Sequence, residues 1–177
     1  MEIRAKCKYD LDSVKALNNL VLFKKADPKK RMITWTIVYA AILAIVVLEM
    51  IVFGKDLVLF ILMGVLIAWL GIMYFLYFIT PKIQYKSMSK MKNVENEYIF
   101  YEDKLKAITK SEEYNGEAEI EYSFFVRAFE TTKYLFLYQT NNQVFIVDKS
   151  TVEGGTVGEI RSRLCTALND KFIMCKY

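Results

Sequence analysis

Residues Met32–Ile79 read MITWTIVYAAILAIVVLEMIVF, then Gly54-Lys55-Asp56, then LVLFILMGVLIAWLGIMYFLYFI. Each apolar run is about 20 residues or slightly longer, enough at ~1.5 Å per residue to cross a hydrocarbon core of roughly 30 Å. The pattern predicts two membrane helices over 32–53 and 57–79. The three-residue link forces them antiparallel, so the pair is a transmembrane hairpin. Soluble core helices rarely run this long without a polar face, which argues against a buried hairpin of a soluble bundle. A cleaved signal peptide is disfavoured, because the first run begins past residue 30 and a second follows at once.

Charge sets the orientation. Lys24, Lys25, Lys29, Lys30 and Arg31 precede the first run, and Lys82, Lys86, Lys90 and Lys92 follow the second, whereas the link holds Lys55 beside Asp56. The positive-inside rule puts both chain ends in the cytoplasm, and the same cations sit at the level of anionic headgroups. Lys24, Lys25, Lys29, Lys30, Arg31, Lys82, Lys86 and Lys90 are the expected headgroup contacts. Trp35 and Tyr39 open the first span, and Tyr74, Tyr77 and Phe78 close the second, as an aromatic belt at that interface.

Small residues recur on both spans: Thr36, Ala40 and Ala44 on the first, Gly64, Ala68 and Gly71 on the second. Small side chains let helices approach closely in lipid, and the spacing predicts that these two faces meet. The alternative use of the same faces is dimerisation between hairpins. Glu49 is the ionisable residue inside a run, and an intramembrane carboxylate is a candidate functional group. It lies roughly a turn from the outer end of its helix, near Lys55, which favours a neutralised or interfacial carboxylate over an ion path.

The 177 residues are 54% hydrophobic, leaving room for the hairpin and one further unit of roughly 120 residues. The pI near 8.8 conceals a split: from Asn93 to Tyr177 there are 14 Asp and Glu against 10 Lys and Arg. A basic collar beside a mildly acidic domain points to a membrane surface and away from nucleic acid. Cys7, Cys165 and Cys175 are odd in number and lack C-x-x-C spacing, so they read as reduced thiols in a cytoplasmic setting. The chain has no histidine, which disfavours a metal centre and removes the commonest general base. No cofactor is expected.

Three segments follow from these patterns: 1–31, 32–79 and 80–177. In the first, Ile3, Ala5, Cys7 and Tyr9 alternate with Arg4, Lys6 and Lys8, the signature of a half-buried strand. Asp10 or Asp12 then caps a helix whose apolar face is Val14, Leu17, Val21 and, with them, Leu20 and Phe23. A lone strand is unstable, so it is expected to join the sheet that follows the hairpin. After Pro81 a basic helix leaves the bilayer. Strands are expected at 97–101, 104–110, 117–122, 124–129, 134–138 and 144–147, with Asn115-Gly116 as a hairpin turn. Thr156 and Glu159 form a capping box ahead of Ile160, Leu164, Ala167, Leu168 and Phe172. The fold class expected is therefore an α+β membrane protein: a two-helix hairpin plus a pleckstrin-homology-like antiparallel sheet capped by a C-terminal helix.

The glutamates 112, 113, 117, 119 and 121 offer a partner-binding face or a divalent-ion site, and more simply the solvated side of a hairpin. Gly154-Gly155 lacks the rest of a phosphate loop and reads as a flexible entry to the last helix. The series Phe124, Phe125, Phe129, Tyr134, Phe136, Tyr138 and Phe145 sits on alternating strand faces and reads as core.

The order strand, helix, hairpin and strand-rich domain, together with Tyr98-Ile99-Phe100-Tyr101-Glu102-Asp103, resembles the YcxB-like family of small bacterial membrane proteins. The stretch Ile120–Tyr134, continuing through Leu135–Tyr138 to Asn142–Lys149, carries the rest of the likeness. It departs at Tyr122 and Asp148, near which the family usually has Trp and Pro. The resemblance implies a protein of the bacterial cytoplasmic (inner) membrane with an inward-facing domain and no assigned catalytic residue. The reading that follows is non-enzymatic protein binding or regulation, with the lipid bilayer and a protein as partners and a homodimer possible. The competing expectation is an immunity protein against a membrane-active peptide or secreted toxin.

Overall fold

Alternation dictates the first element. In the computed structural model, which describes residues 2–23, 26–54, 56–87, 94–110 and 115–175, β1 (Ile3–Lys8) buries Ile3, Ala5 and Cys7 and exposes Arg4, Lys6 and Lys8. β1 pairs antiparallel with β2 (Glu95–Phe100), which lies beyond the hairpin in sequence. β3 (Lys104–Lys110) and β4 (Asn115–Glu121) complete a four-stranded antiparallel sheet in the order β1-β2-β3-β4. Asn115 and Gly116 are not the hairpin turn: they open β4 and pair with Lys110 and Thr109. The connection spans 111–114, and Glu112 and Glu113 lie outside the described residues.

The second sheet runs β7 (Val144–Asp148), β6 (Tyr134–Tyr138), β5 (Arg127–Glu130), β8 (Phe172–Met174). Its first two pairings are antiparallel; β8 adds parallel to β5, with Ala128 opposite Phe172. The expected strand at 124–129 begins later, because Tyr122–Phe124 forms a 3-10 turn. The other edge of β1 is taken up by the chain leaving β7. Arg4 and Glu153 exchange backbone hydrogen bonds of 2.9 and 2.8 Å, and Lys6 N–H donates to Thr151 Oγ1 at 2.8 Å. The two sheets thus share one core, in which Tyr98, Phe100, Tyr122, Phe125, Phe136 and Leu164 are almost wholly buried.

Helix α5 (Val157–Leu168) starts with the capping box, Thr156 Oγ1 accepting from Glu159 N–H and Glu159 Oε2 accepting from Thr156 N–H. It covers the core with Ile160, Leu164 and Leu168. Phe172, expected on this helix, belongs to β8 instead, since Asn169–Lys171 ends the helix in a 3-10 turn. Gly154-Gly155 is a site of close approach rather than a flexible entry. An added Cβ would lie 2.8 Å from Glu2 O at Gly154, whose φ is 74°, and 2.6 Å from Ile3 Cγ1 at Gly155.

Helix α1 (Leu11–Phe23) is capped by Asp10, whose Oδ1 accepts from Ser13 N–H at 2.7 Å. It buries Ser13, Val14, Asn18, Leu20 and Phe23, while Val21, expected on the apolar face, is 62% exposed. Leu20 packs into the sheet core and Phe23 against the hairpin, so α1 is gripped from two sides.

The hairpin comprises α2 (Pro28–Phe53), α3 (Leu57–Tyr74), a π turn (Phe75–Ile79) and α4 (Thr80–Ser87). Asp27 and Asp56 cap α2 and α3, accepting hydrogen bonds from Lys29 N–H and Val58 N–H. The less exposed positions on α2 include Met32, Thr36, Tyr39, Leu43, Val46 and Met50; those on α3 and the π turn include Leu59, Met63, Leu66, Leu70, Met73 and Tyr77. Both series step by alternating fours and threes, the spacing of a coiled-coil seam. Elsewhere the two helices present apolar side chains outward, and both are long and apolar enough to cross a membrane.

The small residues do not make this seam. Of Thr36, Ala40, Ala44, Gly64, Ala68 and Gly71, Thr36 alone lies in it; the other five are exposed. A Cβ added at Gly64 or Gly71 would meet nothing within 4 Å. Large Leu, Met and Val side chains at heptad spacing interlock and hold the helix axes apart, which removes the close approach that small faces require.

Candidate functional site

The elements converge at the end of the hairpin opposite its turn. A proline begins the local explanation. Pro81 has no N–H to donate, and its ring excludes the normal helical position of the carbonyl four residues earlier. The chain answers with the π turn just before it, in which Thr80 N–H reaches Phe75 O. The carbonyl of Leu76 is the one that Pro81 would have satisfied in that register. Asn18, buried on α1, donates its Nδ2 to Leu76 O at 3.1 Å instead. Phe23 meets the edge of Tyr77 at a ring separation of 5.9 Å, and Lys15 Nζ stands 5.9 Å from the same ring.

Beside this clamp, α1, α2, the end of α3 and the π turn line an open cavity of about 450 Å³. Lys15 and Lys29 border it; Met32, Ile33, Ile37, Tyr77 and Phe78 line it, and Thr36 Oγ1 and Tyr74 OH, also in its lining, lie 3.2 Å apart. Lys29, Lys30 and Arg31 are exposed on the first turn of α2, and Lys82 and Lys86 on α4. Arg31 stacks over Trp35 at 5.8 Å and Tyr74 over Phe78 at 5.7 Å, so cations and aromatic rings alternate around this end. Lys24, Lys25 and Lys90 lie outside the described residues, as does Lys55. Glu49 is exposed on the flank of α2, about a turn from Phe53, and its expected approach to Lys55 therefore lies outside them too.

A second cluster lies within the sheet domain. Glu130, at the end of β5 and 4% exposed, accepts two hydrogen bonds of 2.6 Å from Arg161 of α5 and one of 2.7 Å from Lys149. Lys149 Nζ also donates to Thr131 O at 2.9 Å. Burial alone would raise the Glu130 carboxyl, but the hydrogen bonds from Arg161 and Lys149 outweigh it and hold the group below its ordinary value. Arg161 thus ties α5 to the end of β5, and Lys149 ties the chain leaving β7 to the same strand end. Sequence reading passed over Glu130 and Arg161; the signal was a carboxylate following Ala128-Phe129 in a strand otherwise buried. Asn18 was passed over as well, and its signal was an amide four residues from Val14 on the face of α1 that Val14 occupies, with Pro81 five residues beyond Leu76.

The remaining candidates are structural. Lys104 pairs with Glu119 at 2.7 Å and Lys106 with Glu117, so the acidic stripe of β4 is matched by the lysines of β3. Burial pushes the Cys7 thiol up to about 12, with Asp148 adding to it, so it stays protonated at neutral pH. No disulfide joins Cys7, Cys165 and Cys175. Among the described residues no group of three His, Cys, Asp or Glu is placed to hold a metal ion. The aromatic series is core except for Phe124, which is 68% exposed. A second cavity of about 480 Å³, between the β3–β4 end and α5, is rimmed by Glu102, Asp103 and Glu121. There Arg163 donates to the carbonyls of Phe100 and Tyr101, and Tyr122 OH to that of Tyr101, seating α5 on the sheet.

No family model, no curated protein and no solved structure matches the chain.

Proposed function

We propose that the chain is a non-enzymatic two-span protein of the bacterial cytoplasmic membrane, both ends inside, holding a pleckstrin-homology-like domain of the YcxB-like kind at the inner surface to bind another protein. The observation that carries the reading is the polarity of the hairpin. Its turn end exposes Ile51, Val52, Phe53, Leu57 and Val58, a surface that water disfavours and hydrocarbon accepts. Its other end gathers Lys29, Lys30, Arg31, Lys82 and Lys86, the aromatic rings, α1 and the sheets. That distribution is the one the positive-inside rule and the aromatic belt require.

Two sheets sharing a core, with α5 closing it, support the domain reading. The conspicuous internal groups are engaged within the fold, Glu130 by two cations and Cys7 by burial, which supports binding over catalysis. β4 ends its sheet and offers its outer edge to an extended peptide of the partner. The topology is tested by replacing Lys55 with Cys and treating whole cells with a membrane-impermeant maleimide. Labelling at position 55 without cell lysis is expected; labelling only after lysis overturns the orientation. Co-purification of the full chain in mild detergent then tests partner binding. A protein lost on mutation of β4 supports the reading, and one retained without the sheet domain overturns it.

A further inference from the structure

The cavity at the base of the hairpin is not isolated. Ile33 and Ile37 on α2, and Tyr74 and Phe78 on the other arm, each follow a seam residue by one position and so lie on one flank of the seam. The same flank continues through Ala40 and Ala44 on α2 and through Gly71 and Gly64 on α3, each again one position past a seam residue. In an antiparallel pair these flanks face the same side. The space beside Gly64 and Gly71 is open, since an added Cβ meets nothing there. Ala40 and Gly71 therefore lower this flank just beyond the cavity and extend it as a short groove, up to Ile67, which lies on the same flank between Gly71 and Gly64. From Lys29 to Ala40 it covers 11 helical rises, about 16 Å, from headgroup level to near the middle of a core roughly 30 Å thick.

We propose that this groove holds one anionic phospholipid, its phosphate between Lys15 and Lys29 and an acyl chain along Ile33, Ile37, Ala40 and Gly71. The occupant follows from the chemistry of the two ends. A cationic mouth selects a phosphate bearing net negative charge, the Thr36–Tyr74 hydroxyl pair lies at the level of the ester oxygens, and an apolar channel of small residues accepts a flexible chain. The proposal rests on the membrane reading above and gives it a specific ligand, seated where α1 joins sheet to hairpin.

The test uses the full chain reconstituted in nanodiscs of equal phosphatidylglycerol and phosphatidylcholine, then released for native mass spectrometry. Two cations near the surface predict retention of phosphatidylglycerol about thirtyfold over phosphatidylcholine. Lys15→Gln with Lys29→Gln brings that ratio to about one, by loss of both cations. Gly71→Leu, which fills the groove and leaves the cations, lowers total retained lipid severalfold. A flat ratio in the unmodified chain, or an unchanged ratio in the double variant, overturns the site while the membrane reading stands. A chain that stays in solution without detergent and does not enter nanodiscs overturns both.

Discussion

Asn18 Nδ2 donates a 3.1 Å hydrogen bond to the carbonyl of Leu76, a residue 58 positions away, and this bond joins α1 to the second arm of the hairpin. In the register of the π turn the donor to that carbonyl would be residue 81, and Pro81 has no N–H to give. The sheet core holds the other side of α1 through Leu20. One short helix therefore contacts both the hairpin and the sheet core.

Asn18→Ala leaves the Leu76 carbonyl unsatisfied in a partly buried place and is expected to cost about 1 kcal/mol or slightly more. In a Pro81→Ala background a backbone N–H becomes available to that carbonyl, so the same change should cost about 1 kcal/mol less. Thermal unfolding of the four chains in detergent measures the difference. Strict additivity would refute the link between Pro81 and Asn18.

The open flank predicts the sign of two glycine substitutions. Gly64→Ala and Gly71→Ala meet nothing in the space they enter and should leave stability unchanged or raise it by up to ~1 kcal/mol through helix propensity. Val46→Ala, in the seam, should lower it by about 1 kcal/mol. Destabilisation at the glycines, with Val46→Ala silent, would place the helix contact on the small faces after all.

Gly155→Ala drives a methyl into Ile3 Cγ1 and should destabilise the sheet domain by about 1–3 kcal/mol. Gly154→Ala should cost more, because its methyl meets a backbone carbonyl and its φ of 74° disfavours any side chain. Since the contact is with β1, the loss should appear as faster amide exchange in Ile3–Lys8.

Glu130 predicts an acid limb. A carboxyl held below its ordinary value of 4.5 contributes stability that is present above that pH and is lost as pH falls through the lowered folded value. Glu130→Gln should remove about 3 kcal/mol at neutral pH by leaving Arg161 and Lys149 without their carboxylate, and should flatten the decline below pH 4.5. Denaturation against pH for both chains measures it, and parallel curves would show that the acid limb belongs to other groups.

By itself the sequence determined what depends on neighbours close along the chain. The two long apolar helices follow from run length, the inward face of β1 from a period of two, the start of α5 from a box four residues long, and the antiparallel pairings of β2 to β7 from short apolar segments joined by turns. The tertiary structure alone decided what depends on distant residues meeting. It set large residues in the hairpin seam and left Gly64 and Gly71 on an open flank, turned Val21 outward, added β8 beside β5, and brought Glu130 to Arg161 and Asn18 to Leu76. The reason is physical: periodicity fixes which face of an element is apolar, but which apolar or polar groups touch is settled by how side-chain volumes interlock and by which buried hydrogen-bonding groups still need a partner.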